Sequence, residues 1–179
     1  IRELGIQYPE LEPSAPDMPF SIRSGGGVIF GASGGVTEAA LRRVAERNNA
    51  ALQEIEYSGV RGLDGIKKIS IDVGEKTLHA AIVSGLGNAE ALLALIESGE
   101  EHFDFVEVMA CPGGCIGGAG QPEGIREDKQ KRASGLYTAD KGALVKRSDE
   151  NPVVLRLYED GVLKDAEKVH ELLHVEYHG

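Results

Sequence analysis

Apolar residues alternate with polar ones in the middle of the chain, which is the pattern of half-buried strands. Ile66 to Val73 shows this alternation and predicts one strand. Gly74-Glu75-Lys76 predicts a turn, and Thr77 to Val83 predicts the partner strand that returns beside the first. Phe103 to Met109 predicts a third, buried strand. The centre of the chain is therefore expected to form a sheet.

Other segments repeat their apolar residues at helical spacing and carry helix start or stop signals. In the C-terminal part, Asn151 with Pro152 is typical of a helix start, and Gly161 of the helix end. The predicted helices are Val36 to about Asn48, Ala89 to Ser98 with Gly99 as its C-cap, a solvated helix from about Gly124 to Thr138, Pro152 to Gly161, and Asp165 to about Tyr177. Alternating strands and helices indicate an α/β fold with part of the sheet parallel.

A glycine-rich stretch lies between a predicted strand, Val28-Ile29-Phe30, and the first helix. Strand, glycine loop and helix together are the arrangement that cradles phosphates. However, Gly31 to Gly35 contains neither the Gly-Lys-Ser/Thr of a P-loop nor a Gly-x-Gly-x-x-Gly in the proper frame. The residues therefore favour glycines that make a tight turn over a nucleotide site.

The composition excludes some partners. The chain has 179 residues and a formal net charge of −10, whereas nucleic-acid binding requires a basic face. No apolar run approaches the roughly 20 residues of a membrane span, and no signal peptide is visible. The expected location is the cytoplasm, with the periplasm as the alternative.

Both cysteines lie in one stretch, Glu107 to Pro122, which begins within the third predicted strand and continues as a loop from the end of that strand. Cys111 and Cys115 are separated by three residues, and glycines and prolines surround them. Buried free thiols are one interpretation, while a disulfide and a four-ligand zinc site have less support. Two thiolates among peptide N–H donors suit an anionic metal–sulfur cluster. His170 and His174 stand four apart, but their sequence context does not favour a metal site.

The loop sequence Glu-Val-Met-Ala-Cys-Pro-Gly-Gly-Cys-Ile-Gly-Gly-Ala-Gly-Gln-Pro closely resembles the last cluster-binding signature of the iron-only hydrogenases. That signature reads Glu-x-Met-Ala-Cys-x-Gly-Gly-Cys-x-x-Gly-Gly-Gly-Gln-Pro, so Ala119 replaces a glycine. Gly27 to Arg42 is similar to a second family segment, in which Thr37 replaces a methionine. A third likeness is the tail, at Arg132, Leu136-Tyr137, Arg147-Ser148, Glu150-Asn151-Pro152 and His170 to His174.

The resemblance implies a fold and a division of the chain. The expected fold is one lobe of the two-lobed hydrogenase catalytic domain, an α/β lobe with a mixed sheet flanked by helices. Residues 1–24 would be an irregular lead-in, residues 25–122 the lobe that carries the glycine-rich loop and the cysteines, and residues 123–179 a helical C-terminal extension.

The resemblance also implies an activity, the reversible reduction of protons to dihydrogen. The cofactor would be a four-iron four-sulfur cluster bridged by a cysteine sulfur to a di-iron subcluster. Cys111 would be a terminal iron ligand and Cys115 the bridging, catalytic thiolate. Phe30 and Gly31 would line the di-iron pocket, and Met109 would pack beside the cluster.

Two family signatures, Thr-Ser-Cys-Cys-Pro and Met-Pro-Cys-x-x-Lys, do not occur in the sequence. Because a four-iron cluster takes four protein ligands, we expect a fragment or one subunit of a split enzyme, inactive alone. Its partners would be the remaining N-terminal part or a complementary subunit, and an electron carrier such as ferredoxin or a nicotinamide-linked subunit. The alternatives are a hydrogenase-like protein of cluster assembly or redox sensing, and an interaction domain with two buried thiols.

Overall fold

A mixed three-stranded sheet lies between helices in the computed structural model, which describes residues 1–15, 22–47, 59–73 and 76–175. The strands are β1 Ile66–Val73, β2 Lys76–Ser84 and β3 Phe105–Met109. The helices of the described residues are α1 Gly25–Val28, α2 Gly35–Arg47, α3 Leu86–Glu97, α4 Arg126–Gly142, α5 Pro152–Glu159 and α6 Ala166–Leu173. Short 3₁₀ turns occur at Tyr8–Glu10, Ile29–Gly31, Cys115–Gly117 and Ser148–Glu150.

The strand order is β1-β2-β3, with β2 in the centre. β1 runs antiparallel to β2, with Ile66 opposite Val83. β3 runs parallel to β2, so that Ala80 pairs with Phe105 and Ser84 with Met109. The three predicted strands and the partly parallel sheet are thereby confirmed. The predicted turn at Gly74-Glu75 lies outside the described residues.

The second half of β2, from Ala80 to Ser84, is buried on both faces, because a helix covers each side of the sheet there. Ala80 and Ile82 pack with Leu41 and Ala45 of α2. On the opposite face, Ala81 and Val83 pack with Leu92 of α3, as the period of two requires. A third apolar cluster joins Ala32 and Ile116 to Ala133 of α4. This third cluster connects the C-terminal part of the chain to the glycine-rich loops.

The helix starts follow their capping residues. The Asn151 side chain accepts the Val153 N–H, and Asp165 accepts the Glu167 N–H, at 2.9 Å in both cases. α3 begins three residues earlier than predicted, and Gly99 follows its end with φ +77°. α6 ends at Leu173 instead of near Tyr177, because His174 adopts an extended backbone.

The predicted strand Val28-Ile29-Phe30 is wrong, since this segment is a helical turn followed by a 3₁₀ turn. Ser24 starts the helical turn by accepting the Gly27 N–H. The Gly25 and Gly26 N–H groups donate to the carbonyls of Val145 and Lys146, at 2.8 and 2.9 Å. Packing against this distant segment overrides the β propensity of three consecutive bulky apolar residues.

The solvated helix predicted from about Gly124 to Thr138 is present, but its bounds and its exposure require correction. α4 extends from Arg126 to Gly142 and buries Ala133 and Asp140 on one side. Its opposite side is exposed, as Lys131 is. Because this helix has few apolar residues and one of its two buried residues is the charged Asp140, its sequence does not show a buried side. α4 thus contributes to the core beside the glycine-rich loops.

Candidate cluster site

The cysteine loop, residues 110–122, begins where the parallel strands β2 and β3 end side by side. Carboxyl ends of parallel strands are the usual ligand sites of α/β folds. The Gly85 N–H donates to the Met109 carbonyl at 2.8 Å, and the Gly113 N–H donates to Ser84 Oγ at 3.1 Å. The loop is therefore attached to the ends of both strands.

A second glycine-rich segment, residues 31–37, lies directly against the cysteine loop, and we call it the glycine turn. The Ser33 N–H donates to the Gly113 carbonyl at 3.0 Å. Gly114 has φ +92°, and a Cβ there would lie 2.7 Å from the Ser33 nitrogen and 2.8 Å from the Gly31 oxygen. Only glycine permits both this φ and this close approach. The structure thus brings together two segments that lie 80 positions apart in the sequence at the Ser33–Gly113 contact.

Both thiols are free, with Cys111 half-buried and Cys115 exposed. A Cβ added at Gly118 would lie 3.2 Å from Cys111 Sγ, so the Gly118 backbone lies against that sulfur. The loop is also stabilised internally, by the Gly114 N–H to the Cys111 carbonyl and the Gly118 N–H to the Cys115 carbonyl. A peptide group without a side chain therefore lies directly against the Cys111 sulfur.

The other predicted site residues lie at the edges of this arrangement. Gly31 is half-buried, and its carbonyl faces Gly114. Phe30 immediately precedes it and is 44% exposed. Met109 is half-buried at the end of β3. Gly31 is thus placed against the cysteine loop, while the assignment of Phe30 and Met109 to a cofactor remains a prediction.

Glu107 of β3 binds the glycine turn through its buried carboxylate. Its oxygens accept the Gly34 N–H at 2.6 Å, the Thr37 N–H at 2.8 Å and the Thr37 hydroxyl at 2.7 Å. The negative charge lies at the N-terminus of α2, where the helix dipole favours it. Thr37, which replaces the methionine of the resembling segment, supplies a bond to Glu107 that a methionine cannot donate.

Lys67 of β1 binds the same turn with the opposite charge. Its Nζ donates to the carbonyls of Ser33 at 2.9 Å, Val60 at 2.7 Å and Gly62 at 3.1 Å. Burial lowers the pKa of Lys67 from 10.5 to about 8, against the attraction of Glu107 and Asp64. The glycine turn is therefore held by an anion at its amides and a cation at its carbonyl.

A buried charge network joins α2 to α4 behind the glycine turn. Arg42 donates to both carboxylate oxygens of Asp140, at 2.8 and 2.7 Å, and also pairs with Glu38. These hydrogen bonds, with that to Asp140 the strongest, raise the pKa of Arg42 in spite of its burial. Arg61 donates to Glu38 and lies 4.2 Å from the Tyr137 ring centroid. Burial raises the pKa of Tyr137 to about 12.

Sequence reasoning missed the charged residues Glu107, Lys67 and Asp140. Glu107 did leave a signal, because a charged residue inside an apolar strand is rarely buried without a partner. Lys67 and Asp140 lie in segments rich in other charges, where nothing distinguishes them. Their roles are visible only once the chain is folded.

The loop fits a metal–sulfur cluster with half of the required ligands. Across residues 1–15, 22–47, 59–73 and 76–175, no three His, Cys, Asp or Glu side chains form a group suited to a metal ion. The two thiols, the Gly118 backbone against Cys111 and the buried Ser33 hydroxyl, which has no partner in the described part of the chain, match such a cluster. His170 on α6 and His174 just after its end, with ring centroids 5.2 Å apart, belong to no such group among those residues.

Comparison with known families identifies the family to which the chain with this site belongs. Residues 1–119 match the C-terminal domain of the iron-only hydrogenase large subunit, and residues 126–179 match the iron hydrogenase small subunit. The chain belongs to the iron-only hydrogenase family. The resemblance seen in the sequence is thereby confirmed.

Similar proteins support this placement. The chain is 41% identical to the NADP-reducing hydrogenase subunit HndD of Solidesulfovibrio fructosivorans, over 99% of this chain and 31% of that protein. It is 39% identical to iron hydrogenase 1 of Clostridium pasteurianum, over 99% of this chain and 32% of that protein. The chain thus spans about a third of the length of these relatives. Cytosolic iron–sulfur assembly factors also match, at 29% identity for the Xenopus tropicalis protein.

Solved structures of [FeFe]-hydrogenases share the fold. A variant of HydA1 from Chlamydomonas reinhardtii superposes with a TM-score of 0.65 at 33% identity, over 98% of this chain and 52% of that one. The α/β lobe expected from the sequence is therefore confirmed. No described helix combines the length and the apolar character needed to cross a membrane.

Proposed function

We propose that this chain forms the C-terminal lobe of an iron-only hydrogenase active site and reduces protons reversibly to dihydrogen only together with the rest of the catalytic domain. One observation carries the proposal. Two separate glycine-rich segments meet at the carboxyl ends of β2 and β3 around two free thiols. Family membership supplies the identity of the group that these thiols would bind.

Cys111 and Cys115 would hold the four-iron cluster, with Cys115 as the thiolate that bridges to the di-iron subcluster. When bound, the cluster supplies electrons and the metal site for proton reduction. The chain's own contribution would be to fix the two sulfurs, to keep the Gly118 backbone against Cys111, and to position Phe30, Gly31 and Met109 around the pocket. Hydrogen bonds and burial of this kind tune a cluster's potential.

The remaining ligands would come from a partner. The two cysteines of the chain supply half of the four ligands of a four-iron cluster. The rest would be contributed by the N-terminal part of the catalytic domain or by a complementary subunit, with ferredoxin or a nicotinamide-linked subunit as electron carrier. We also propose that the assembled enzyme is cytoplasmic and that it serves anaerobic hydrogen metabolism.

The test is complementation. The 179-residue chain is produced alone or together with the N-terminal part of the Clostridium pasteurianum relative, matured anaerobically, and assayed for hydrogen evolution. We expect activity only in the complemented sample, and its loss in Cys115→Ser and Cys111→Ser but not in the exposed control Ser98→Ala. Sustained hydrogen evolution by the chain alone, or by complemented Cys115→Ser, would contradict the proposal.

An assembly or sensing role is the second candidate, favoured by the match to the cytosolic iron–sulfur assembly factors. It predicts a four-iron cluster in the complemented protein without hydrogen evolution. Infrared spectroscopy separates the two functions, because only the hydrogenase should show bands from metal-bound carbon monoxide and cyanide.

A further inference from the structure

α4 directs two cations towards the cysteine loop from one side of the helix. Lys129 and Arg132 are three positions apart and therefore lie on the same face. Arg132 is half-buried, and its two terminal nitrogens donate to different carbonyls, Nη1 to Ile116 at 2.8 Å and Nη2 to Pro122 at 2.7 Å. A single guanidinium thus connects two points of the loop that are six positions apart.

The segment between Ile116 and Pro122 contains Gly118, whose peptide group lies against the Cys111 thiol. Gly118 follows Ile116 by two positions, and its backbone lies against Cys111 Sγ. The 3₁₀ turn Cys115–Gly117 ends at the same place. Within the loop, the Gly118 N–H donates to the Cys115 carbonyl, and the Gln121 N–H donates to the Gly118 carbonyl. These two bonds do not connect residues 118–122 to another element. Arg132 supplies the attachment to the rest of the protein.

We propose that Arg132 is a positioning residue that holds the Gly118 backbone against the Cys111 sulfur and so preorganises the loop for a metal–sulfur cluster. The nature of the ligand rests on the proposed function, whereas the positioning itself concerns the metal-free chain. The residue lies in the region that matches the small subunit, while the thiol lies in the region that matches the large subunit. Thiol geometry in one region would thus depend on a side chain of the other.

The chemistry of arginine suits this task. The guanidinium is planar, always charged and offers several N–H donors in a fixed fork, so it can serve two acceptors at once. Lysine has the same charge and can donate to several carbonyls, as Lys67 does, but its donors diverge from one nitrogen and lack the fixed planar fork by which two nitrogens of Arg132 reach two separate carbonyls. The comparison of Arg132→Lys with Arg132→Gln therefore separates charge from geometry.

The experiment measures alkylation of the two thiols by iodoacetamide in the iron-free, full-length chain, resolved by mass spectrometry. In Arg132→Gln, we expect the alkylation rate of half-buried Cys111 to rise about tenfold relative to that of Cys115. Without the two hydrogen bonds of Arg132, the Gly118 backbone should move away from Cys111 Sγ more often and expose it to the reagent. Cys115 is already exposed and serves as the internal reference. The matched control is Arg126→Gln on the same helix, whose exposed side chain pairs with Asp64 at 3.0 Å.

Arg132→Lys distinguishes the outcomes. A rate ratio close to that of Arg132→Gln supports the two-point contact, and a ratio equal to the wild type overturns it in favour of charge alone. An unchanged ratio in folded Arg132→Gln overturns the proposal altogether. If Arg132→Gln unfolds, as circular dichroism would show, Arg132→Lys decides by the same ratio.

A second readout follows anaerobic reconstitution with iron and sulfide in the presence of the complementing partner. We expect Arg132→Gln to shift the cluster's midpoint potential and broaden its electron paramagnetic resonance signal, while Arg126→Gln changes neither. If the wild type binds no iron but the alkylation ratios differ as expected, the proposed function fails and the positioning role stands. If iron binds but the alkylation ratios do not differ, the positioning role fails and the proposed function stands.

Discussion

The glycine turn and the cysteine loop are both rich in glycine and touch each other, but they are held in different ways. The glycine turn is buried, and two charged side chains of the sheet bind it, Glu107 at the amides and Lys67 at the Ser33 carbonyl. The cysteine loop is partly exposed and is held by neutral groups and, from α4, by Arg132 and a longer contact from Lys129. The difference indicates that the turn is formed by folding, whereas the loop remains accessible to a ligand.

Among the substitutions that test this difference, loss of the Glu107 carboxylate should lower the stability of the protein most. In Glu107→Ala, the Gly34 and Thr37 amides lose their buried acceptor, and we expect the free energy of unfolding to fall by about 4 kcal/mol. Glu107→Gln should cost less, because its amide oxygen retains one acceptor. Denaturant unfolding measures both, with the exposed Glu97→Gln as the control. A loss in Glu107→Ala no greater than in the control would show that the turn does not depend on this charge.

Lys67 should make stability depend on pH in the alkaline range. Its pKa is about 8 in the folded chain, compared with 10.5 when unfolded. Between these values the unfolded chain binds the additional proton, so stability should rise with pH, by about 3 kcal/mol over the whole window. The stability gained is complete above pH 10.5 and is lost as the pH falls through 8.

The measurement is urea unfolding from pH 7.5 to 10, comparing the wild type with Lys67→Met. The exposed neighbour Lys68, which pairs with Glu101 at 2.6 Å, gives the control Lys68→Met. Tyr137 contributes the opposite trend above pH 10, because its pKa is raised to about 12. The difference between the wild type and Lys67→Met removes that contribution. Parallel curves for these two proteins would refute the buried titration.

Substitution of the thiols should have the smallest effect on folding. Cys111→Ser and Cys115→Ser remove one partly exposed and one exposed sulfur, so we expect the iron-free chain to change by less than about 0.5 kcal/mol in stability. Thermal unfolding of the iron-free variants checks this. A loss comparable to that of Glu107→Ala would mean that the cysteine loop, like the glycine turn, is part of the folding core.

Much of the fold could be predicted from local patterns. β1 and β2 were found by their alternation, and α5 by Asn151 and Pro152, because these signals lie within the elements themselves. Val28-Ile29-Phe30 was mistaken for a strand because its conformation depends on Gly25 and Gly26 contacting residues 145–146. No local pattern contains that information.

The site divides in the same way. The position of Cys111 and Cys115 after β3 followed from a short motif. The side chains that hold the loops did not, since Glu107 reaches Gly34 across 73 positions and Lys67 reaches Ser33 across 34. Such pairings are set by tertiary packing, and a buried charge in a single sequence shows only that some partner exists.

The contact of α1 with the segment around residue 146 also affects how the chain folds during synthesis. Ser24 bonds to Ser148 across 124 positions, so α1 cannot reach its final environment until the segment around Ser148 has left the ribosome. At roughly 5–20 residues per second, that delay is on the order of ten seconds. During this time the apolar and glycine-rich N-terminal segment is open to chaperones. We therefore expect nascent-chain length, more than local sequence, to determine when the thiol-bearing lobe closes.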